Sequence, residues 1–416
     1  MHVVERYADW ATQWRSRPIP AEVAHHARRA LVDWHAALYP GLAVAPATML
    51  TKALDCKDAR TTALINGTAA HTVEVDDIFR DGIYHPGAPT IAAAHALGAG
   101  KPNFLRAIIV GYEISTRIGA LMGRAHYKYW HNTGTIGSFG ACAAAAEVLN
   151  LDASQFAHAL ATVATFAAAL QQAFRMDSMS KPLHAGNAAQ AGVTAALAAR
   201  EGVIGSLDVL EGEAGFGRAM GDGPDWEKAL VGLGSDFHIT RMTFKNHACC
   251  GHTFAAIDGA MALKERMAVR PDEIQKLEVG TYRAGVEVAH YANPKTPAEG
   301  RFSLKYVVAT ALTHGSVRLA AFEDDRLRDP RTRALMERIT VGVDPALDAT
   351  FPRQRAARVA ITARGRREEL VQPTRKGDPD LPLTDKDLDD KFLELASPVL
   401  GDQQARKRLA ELWATD

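Results

Sequence analysis

"GTIGSFGACAAAAEVL", residues 134–149, packs five alanines and three glycines into a run with a single charge near its end. Small side chains on nearly every face let helix axes approach closely, and a helix apolar on most faces is buried. Two further runs share this texture, "AHALATVATFAAALQQAF" (157–174) and "GNAAQAGVTAALAAREG" (186–202). Together they predict a central helical bundle. Working outward, "PAEVAHHARRALVDWHAALY" (20–39) and "FLRAIIVGYEISTRIGALMG" (104–123) repeat their apolar residues at helical rather than alternating spacing.

After "FKNHACCGH" (244–252) the texture changes. "KLEVGTY" (276–282), "RITVGV" (338–343) and "RVAITARG" (358–365) are short, β-branched and partly alternating, which predicts strands. Helical stretches, "FAAIDGAMALKERM" (254–267) and "SLKYVVATALTHG" (303–315), separate them. The final run, 384–416, returns to amphipathic helix with Thr384 as its N-cap and is expected to pack on the first domain. "RKGDPDLPL" (375–383) reads as a linker. The expected fold is mainly α with an α+β second domain: a helical domain over 1–243 completed by 384–416, and a smaller unit over 244–383.

Forty-eight basic residues balance 48 acidic ones, so no global field would recruit nucleic acid or an anionic membrane surface. The four cysteines, Cys56, Cys142, Cys249 and Cys250, offer neither CxxC spacing nor a disulfide framework, which fits a reducing cytoplasmic setting. The first twenty residues mix charges into their apolar positions, unlike a signal peptide, and no apolar run is long enough to predict a membrane span.

Four stretches concentrate polar chemistry at the mouths of expected helices: "HTVEVDDIFRDGIYHPGAP" (71–89), "YWHNTGTIGSFG" (129–140), "SMSKPLHAGNAAQ" (178–190) and "FKNHACCGHTFAAID" (244–258). Helix N-termini present unpaired N–H groups, so clustered mouths suit an anion. Each has a plain structural alternative. Asp76 and Asp77 could end one helix and cap the next, His85 could belong to a turn, Lys181 could be solvated, and His131 or His252 could be core histidines. His71, Asp76, Asp77 and His85 could also hold a metal ion for hydrolysis, whereas "HACCGH" lacks zinc-type cysteine spacing. No GxSxG, GxGxxG or GxxxxGK[ST] occurs. What remains is histidine, lysine and carboxylate, a set suited to proton transfer at carbon in a small anionic substrate.

Five blocks, residues 66–94, 131–151, 178–202, 245–258 and 299–312, occur in the order found in the MmgE/PrpD family, which the chain resembles over most of its length. That family includes 2-methylcitrate dehydratases, cis-aconitate decarboxylases and iminodisuccinate epimerase. The resemblance implies a cofactor-independent homodimeric enzyme acting on a small di- or tricarboxylate. Functional positions of the decarboxylase-like members match Glu74, Ile78, His85, His131, Lys181 and His252, with Glu74 and Ile78 departing from an aspartate and a threonine. Lys181 and His85 are then expected to bind substrate carboxylates, and His131 and His252 to supply acid and base. Asp76 would orient a histidine or pair with Lys181. Asp77, His184 and Lys245 join Glu74 and Ile78 as candidate substrate contacts. Without the threonine hydroxyl, elimination and epimerisation stand ahead of decarboxylation. A scaffold that binds carboxylates without turning them over is the expectation from a different class.

Overall fold

The computed structural model describes residues 1–174, 178–351 and 353–416, which divide into two units, Met1–Phe244 with Thr384–Asp416, and Lys245–Leu383. The first unit is built on α1 (Val3–Trp14), α2 (Ala21–Leu42), α3 (Ala59–Thr72), α4 (Gly87–Gly98), α5 (Phe104–Tyr127), α6 (Asn132–Val148), α7 (Ala153–Ala164) and α8 (Ser180–Arg200). Every residue of α6 is buried, and α4, α5, α7 and α8 pack around it. Glycine permits this closeness. A Cβ on Gly192 of α8 would lie 2.5 Å from the Cys142 amide nitrogen of α6, and one on Gly140 would lie 2.5 Å from Thr90 Oγ1 of α4.

Local chemistry sets the helix starts. Asp58 accepts from the Arg60 and Thr61 amides at the head of α3, and Asp152 forms a capping box with Gln155 at the head of α7. The alanine-rich run 157–174 does not remain helical as the sequence suggested: α7 stops at Ala164, and a 3-10 turn occupies Gln171–Phe174. Its backbone finds other partners, since the His131 amide donates to Ala169 O at 2.9 Å and the Gln171 amide to Tyr129 O at 2.9 Å. These bonds replace helical ones and bring the run against the head of α6.

The second unit holds a four-stranded sheet in the order β2-β1-β3-β4. The strands are β1 (Ile274–Thr281), β2 (Ile339–Val343), β3 (Ala357–Ala363) and β4 (Arg366–Gln372). β1 runs parallel to β2 and antiparallel to β3, and β3 pairs antiparallel with β4. Arg364 and Gly365 both have positive φ, 51° and 73°, and close the tight β3–β4 hairpin. β4 was not anticipated, because "RREELVQ" is mostly charged; it is an edge strand whose charges pair across to β3 and along the strand, as Glu369 does with Arg358 and with Arg367. Helix α9 (Phe254–Met267) covers β3 and β4 and packs on α10 (Leu304–His314).

The expected linker 375–383 is instead an anchored part of the second unit. Arg375 is fully buried, with Nε and Nη2 on Asp378 at 2.8 and 2.6 Å and Nη1 donating to Gly251 O at 3.0 Å. The chain then re-enters the first unit as α11 (Asp385–Leu400), capped by Thr384, and α12 (Asp402–Trp413), both packed on α2. Among the described residues no helix is long and apolar enough to cross a membrane.

Candidate functional site

The segment joining α3 to α4 is held from several sides. Lys391 of α11, itself buried, donates to Asp33 Oδ1 and to Val75 O, each at 2.6 Å. Ile78 exchanges both backbone hydrogen bonds with Thr243, and Phe79 pairs with Tyr84. Asp77 accepts from the Gly87 amide at 3.0 Å and from the Tyr112 hydroxyl at 2.7 Å, so it fastens the head of α4. Burial, reinforced by the nearby Asp33 carboxylate, pushes its pKa up to about 8. Asp77 was expected to contact substrate or a metal; its two oxygens are occupied by the scaffold. Ile78 is buried, and its backbone ties the segment down.

Glu74 projects from a residue with φ 60°, a left-handed conformation that costs a non-glycine residue of order 1–3 kcal/mol. Its carboxylate pairs with the Lys181 ammonium at the head of α8. Asp76 was expected to orient a histidine or to pair with Lys181; Glu74 pairs with Lys181, and Asp76 faces His71 and His85. The Lys181 and Glu74 side chains retain 15% and 16% exposure, so neither is sealed in the core. Lys181 also stands 5.4 Å from the centre of the Phe174 ring.

Four imidazoles gather beside this pair. His71, at the end of α3, places Nδ1 2.7 Å from Asp76 Oδ2, and His85 Nδ1 lies 3.2 Å from the same oxygen. The His71 ring meets His85 edge-on at 4.7 Å and stacks on His131 at 5.4 Å. His131 caps the start of α6, and its Nδ1 is 3.1 Å from Nδ1 of His184 on α8. Phe174 closes on His131 edge-to-face at 4.8 Å. Thr133 Oγ1 accepts from the His85 amide at 3.2 Å, and Asn132 Nδ2 donates to Gly82 O at 2.7 Å, tying the segment to α6.

The electrostatics follow from burial. His71 is pushed down to about 4 by burial, against the pull of Asp76. His131 is held well below the usual imidazole range by burial and then by His71, Lys181 and His184. His184 is lowered by burial and by Lys181. Burial works to raise Asp76, but its contacts with His85 and His71 prevail and hold it well below the usual carboxylate range. The cluster therefore sets an ionised Asp76 beside neutral His71, His131 and His184, with the Lys181 ammonium at its edge.

His252 and Lys245 belong to the second unit. His252 Nδ1 is 2.7 Å from the Tyr282 hydroxyl, and Tyr282 stacks on Phe351 at 4.5 Å. Burial, then the Arg355 and Arg375 guanidiniums, push His252 down to about 3. Lys245 is buried. His247 pairs with Asp258 at 3.0 Å. Residues 71–89 had marked His71 only as a metal ligand, and nothing in the sequence marked Phe174, Tyr282 or Lys391. For Phe174 the missing signal is the helix break itself; for Lys391 it is one lysine on the apolar face of α11. A separate cavity of about 540 Å³, lined in part by His35, His95, Lys101 and Arg408, shares none of these groups.

Comparison with known proteins bears on what such a cluster does. Residues 5–229 match the MmgE/PrpD N-terminal domain and residues 247–415 the MmgE/PrpD C-terminal domain. The chain is 26% identical to the cis-aconitate decarboxylase-like protein oryM of Aspergillus oryzae, over 98% of this chain and 93% of that protein. It is 26% identical to cis-aconitate decarboxylase of Homo sapiens, over 82% of this chain and 73% of that one. Likeness to 2-methylcitrate dehydratase of Escherichia coli is 32% but spans 27% of this chain and 24% of that protein.

Proposed function

The chain belongs to the MmgE/PrpD family, and on that premise we propose that it is a cofactor-independent lyase or isomerase that moves protons at carbon in a small di- or tricarboxylate. One observation carries the reading: His71, His85, His131, His184, the Asp76 carboxylate and the Glu74–Lys181 pair converge within one unit. A binding protein needs the cation but not the paired imidazoles.

In this reading a substrate carboxylate displaces Glu74 from Lys181, and the ammonium then stabilises negative charge as it develops on the substrate. His85, oriented by Asp76, holds a second carboxylate. His131 is neutral and can accept the carbon-bound proton; an anionic substrate beside it raises its basicity, coupling binding to chemistry. The 3.1 Å contact between His131 and His184 requires one Nδ1 to donate and the other to accept, so the two rings can pass a proton. His252, neutral and hydrogen-bonded to Tyr282, belongs to the second unit, and an acid or base role for it rests on the resemblance alone.

Removal of the carbon-bound proton leaves a carbanion with two outcomes: loss of a β-leaving group is elimination, and return of a proton to the opposite face is epimerisation. Decarboxylation reaches its carbanion by another route, loss of CO2 from a carboxylate, and a proton then takes up the electron pair left on carbon. Ile78 offers no hydroxyl, which supports the first two. The names of the relatives matched over most of the chain place cis-aconitate among the acids to test. Conversion of cis-aconitate, 2-methylcitrate, citrate or iminodisuccinate, lost in Lys181→Met, tests the proposal; no conversion of any of them counts against it.

A further inference from the structure

Three groups of this cluster meet a second requirement. One ligand atom each from His71, Asp76 and His85 lies within 4.8 Å of the others. Two pairs are closer: His71 Nδ1 is hydrogen-bonded to Asp76 Oδ2 at 2.7 Å, and His85 Nδ1 stands 3.2 Å from the same oxygen without forming a hydrogen bond to it. Ligands around a tetrahedral zinc with bonds of about 2.0 Å stand roughly 3.3 Å apart, so movements of about an ångström would admit an ion. The second observation is unspent capacity. His71 Nε2, Asp76 Oδ1 and His85 Nδ1 are buried atoms without a hydrogen-bond partner among the described residues, and the His71 and Asp76 side chains are 0% and 1% exposed. Buried polar atoms without partners are costly, so a cation that takes up any of them recovers part of that cost.

We propose that His71, Asp76 and His85 form a three-ligand site for a divalent first-row transition ion such as zinc, and that filling it inhibits the enzyme. Two imidazoles and one carboxylate suit such ions, and three protein ligands leave a position open to water or a substrate carboxylate. The ion takes Asp76 and His85 away from substrate binding and leaves Lys181 and Glu74 as they are. Metal binding stands independently of the proposed reaction; inhibition rests on it.

The test uses the full-length protein after dialysis against EDTA, with Zn2+ titrated against a chromophoric chelator and Co2+ followed by its visible spectrum. The expected result is one equivalent of tightly held Zn2+, an affinity about tenfold or more weaker in His71→Gln and in His85→Gln, and turnover that falls with the same midpoint as binding. Lys181→Met separates the two proposals, since it should lose turnover yet bind Zn2+ normally. Circular dichroism of each variant establishes that it is folded. Unchanged Zn2+ affinity in folded His71→Gln and His85→Gln, or no binding to the wild type, overturns the site and leaves the reaction standing. Activity that rises with Zn2+ overturns inhibition. Zn2+ binding by a protein that converts none of the four acids supports the site and removes the reaction.

Discussion

His131 Nδ1 and His184 Nδ1 lie 3.1 Å apart, one at the head of α6 and the other on the first turns of α8. Only one of the two nitrogens can carry a proton while they share it, so each ring fixes the tautomer of the other. His184→Gln should therefore lower kcat by about 10- to 100-fold with a smaller change in KM, because it removes the proton partner and leaves Lys181 in place. Steady-state kinetics check this, and an unchanged kcat would remove His184 from the relay.

Lys391 is the buried counterpart of Asp33 and holds the Val75 carbonyl. Lys391→Met strips the charge from a buried pair and should cost about 3–5 kcal/mol in urea unfolding. The double variant Asp33→Asn, Lys391→Met should recover part of that stability but not activity, since the Val75 carbonyl stays unheld. Full recovery of kcat in the double variant would show that the contact does not position the catalytic segment.

Tyr282→Phe removes the hydroxyl beside His252 Nδ1. Stability should fall by about 1 kcal/mol, while the acidic limb of the kcat/KM profile moves if Tyr282 sets the state of His252. Loss of stability with an unmoved profile would leave Tyr282 a packing residue.

Acid should weaken the fold through neutral buried histidines. Burial holds His35 down at about 3, opposed by its bond to Leu31 O and aided by Arg408 and His95. A folded pKa below the unfolded value means that the stabilisation is present above about pH 6.5 and is lost as pH falls toward 3, with a slope of up to about 1.4 kcal/mol per unit. His35→Gln should flatten the pH dependence of chemical unfolding over that window. An equally steep dependence in the variant would place the acid sensitivity elsewhere.

The sequence carried the helical bundle because α6 and α8 are made of alanine and glycine, and such composition has few stable uses other than close helix packing. It carried three strands through their β-branched residues and missed β4, whose edge position lets charged side chains stand on a strand. The 157–174 run misled because its composition favours helix while its backbone finds better partners at Tyr129 and His131. At the candidate site the sequence marked His85, His131, Lys181 and the acidic pair through local motifs. It could not say which carboxylate holds which cation, because that depends on helices far apart in the chain: Glu74 rather than Asp76 meets Lys181, and Asp77 turns to Tyr112. Lys391 lies 316 residues from Val75, a separation at which local pattern carries no signal.

The central claim is carbon-acid chemistry, and proton NMR in D2O tests it most directly. Purified protein would be incubated with cis-aconitate, 2-methylcitrate, citrate and iminodisuccinate, with and without EDTA. The expected result is solvent deuterium at a carbon of at least one acid or its product, not diminished by EDTA and lost in Lys181→Met. No deuterium in any of the four, from folded protein that binds them, would contradict the account.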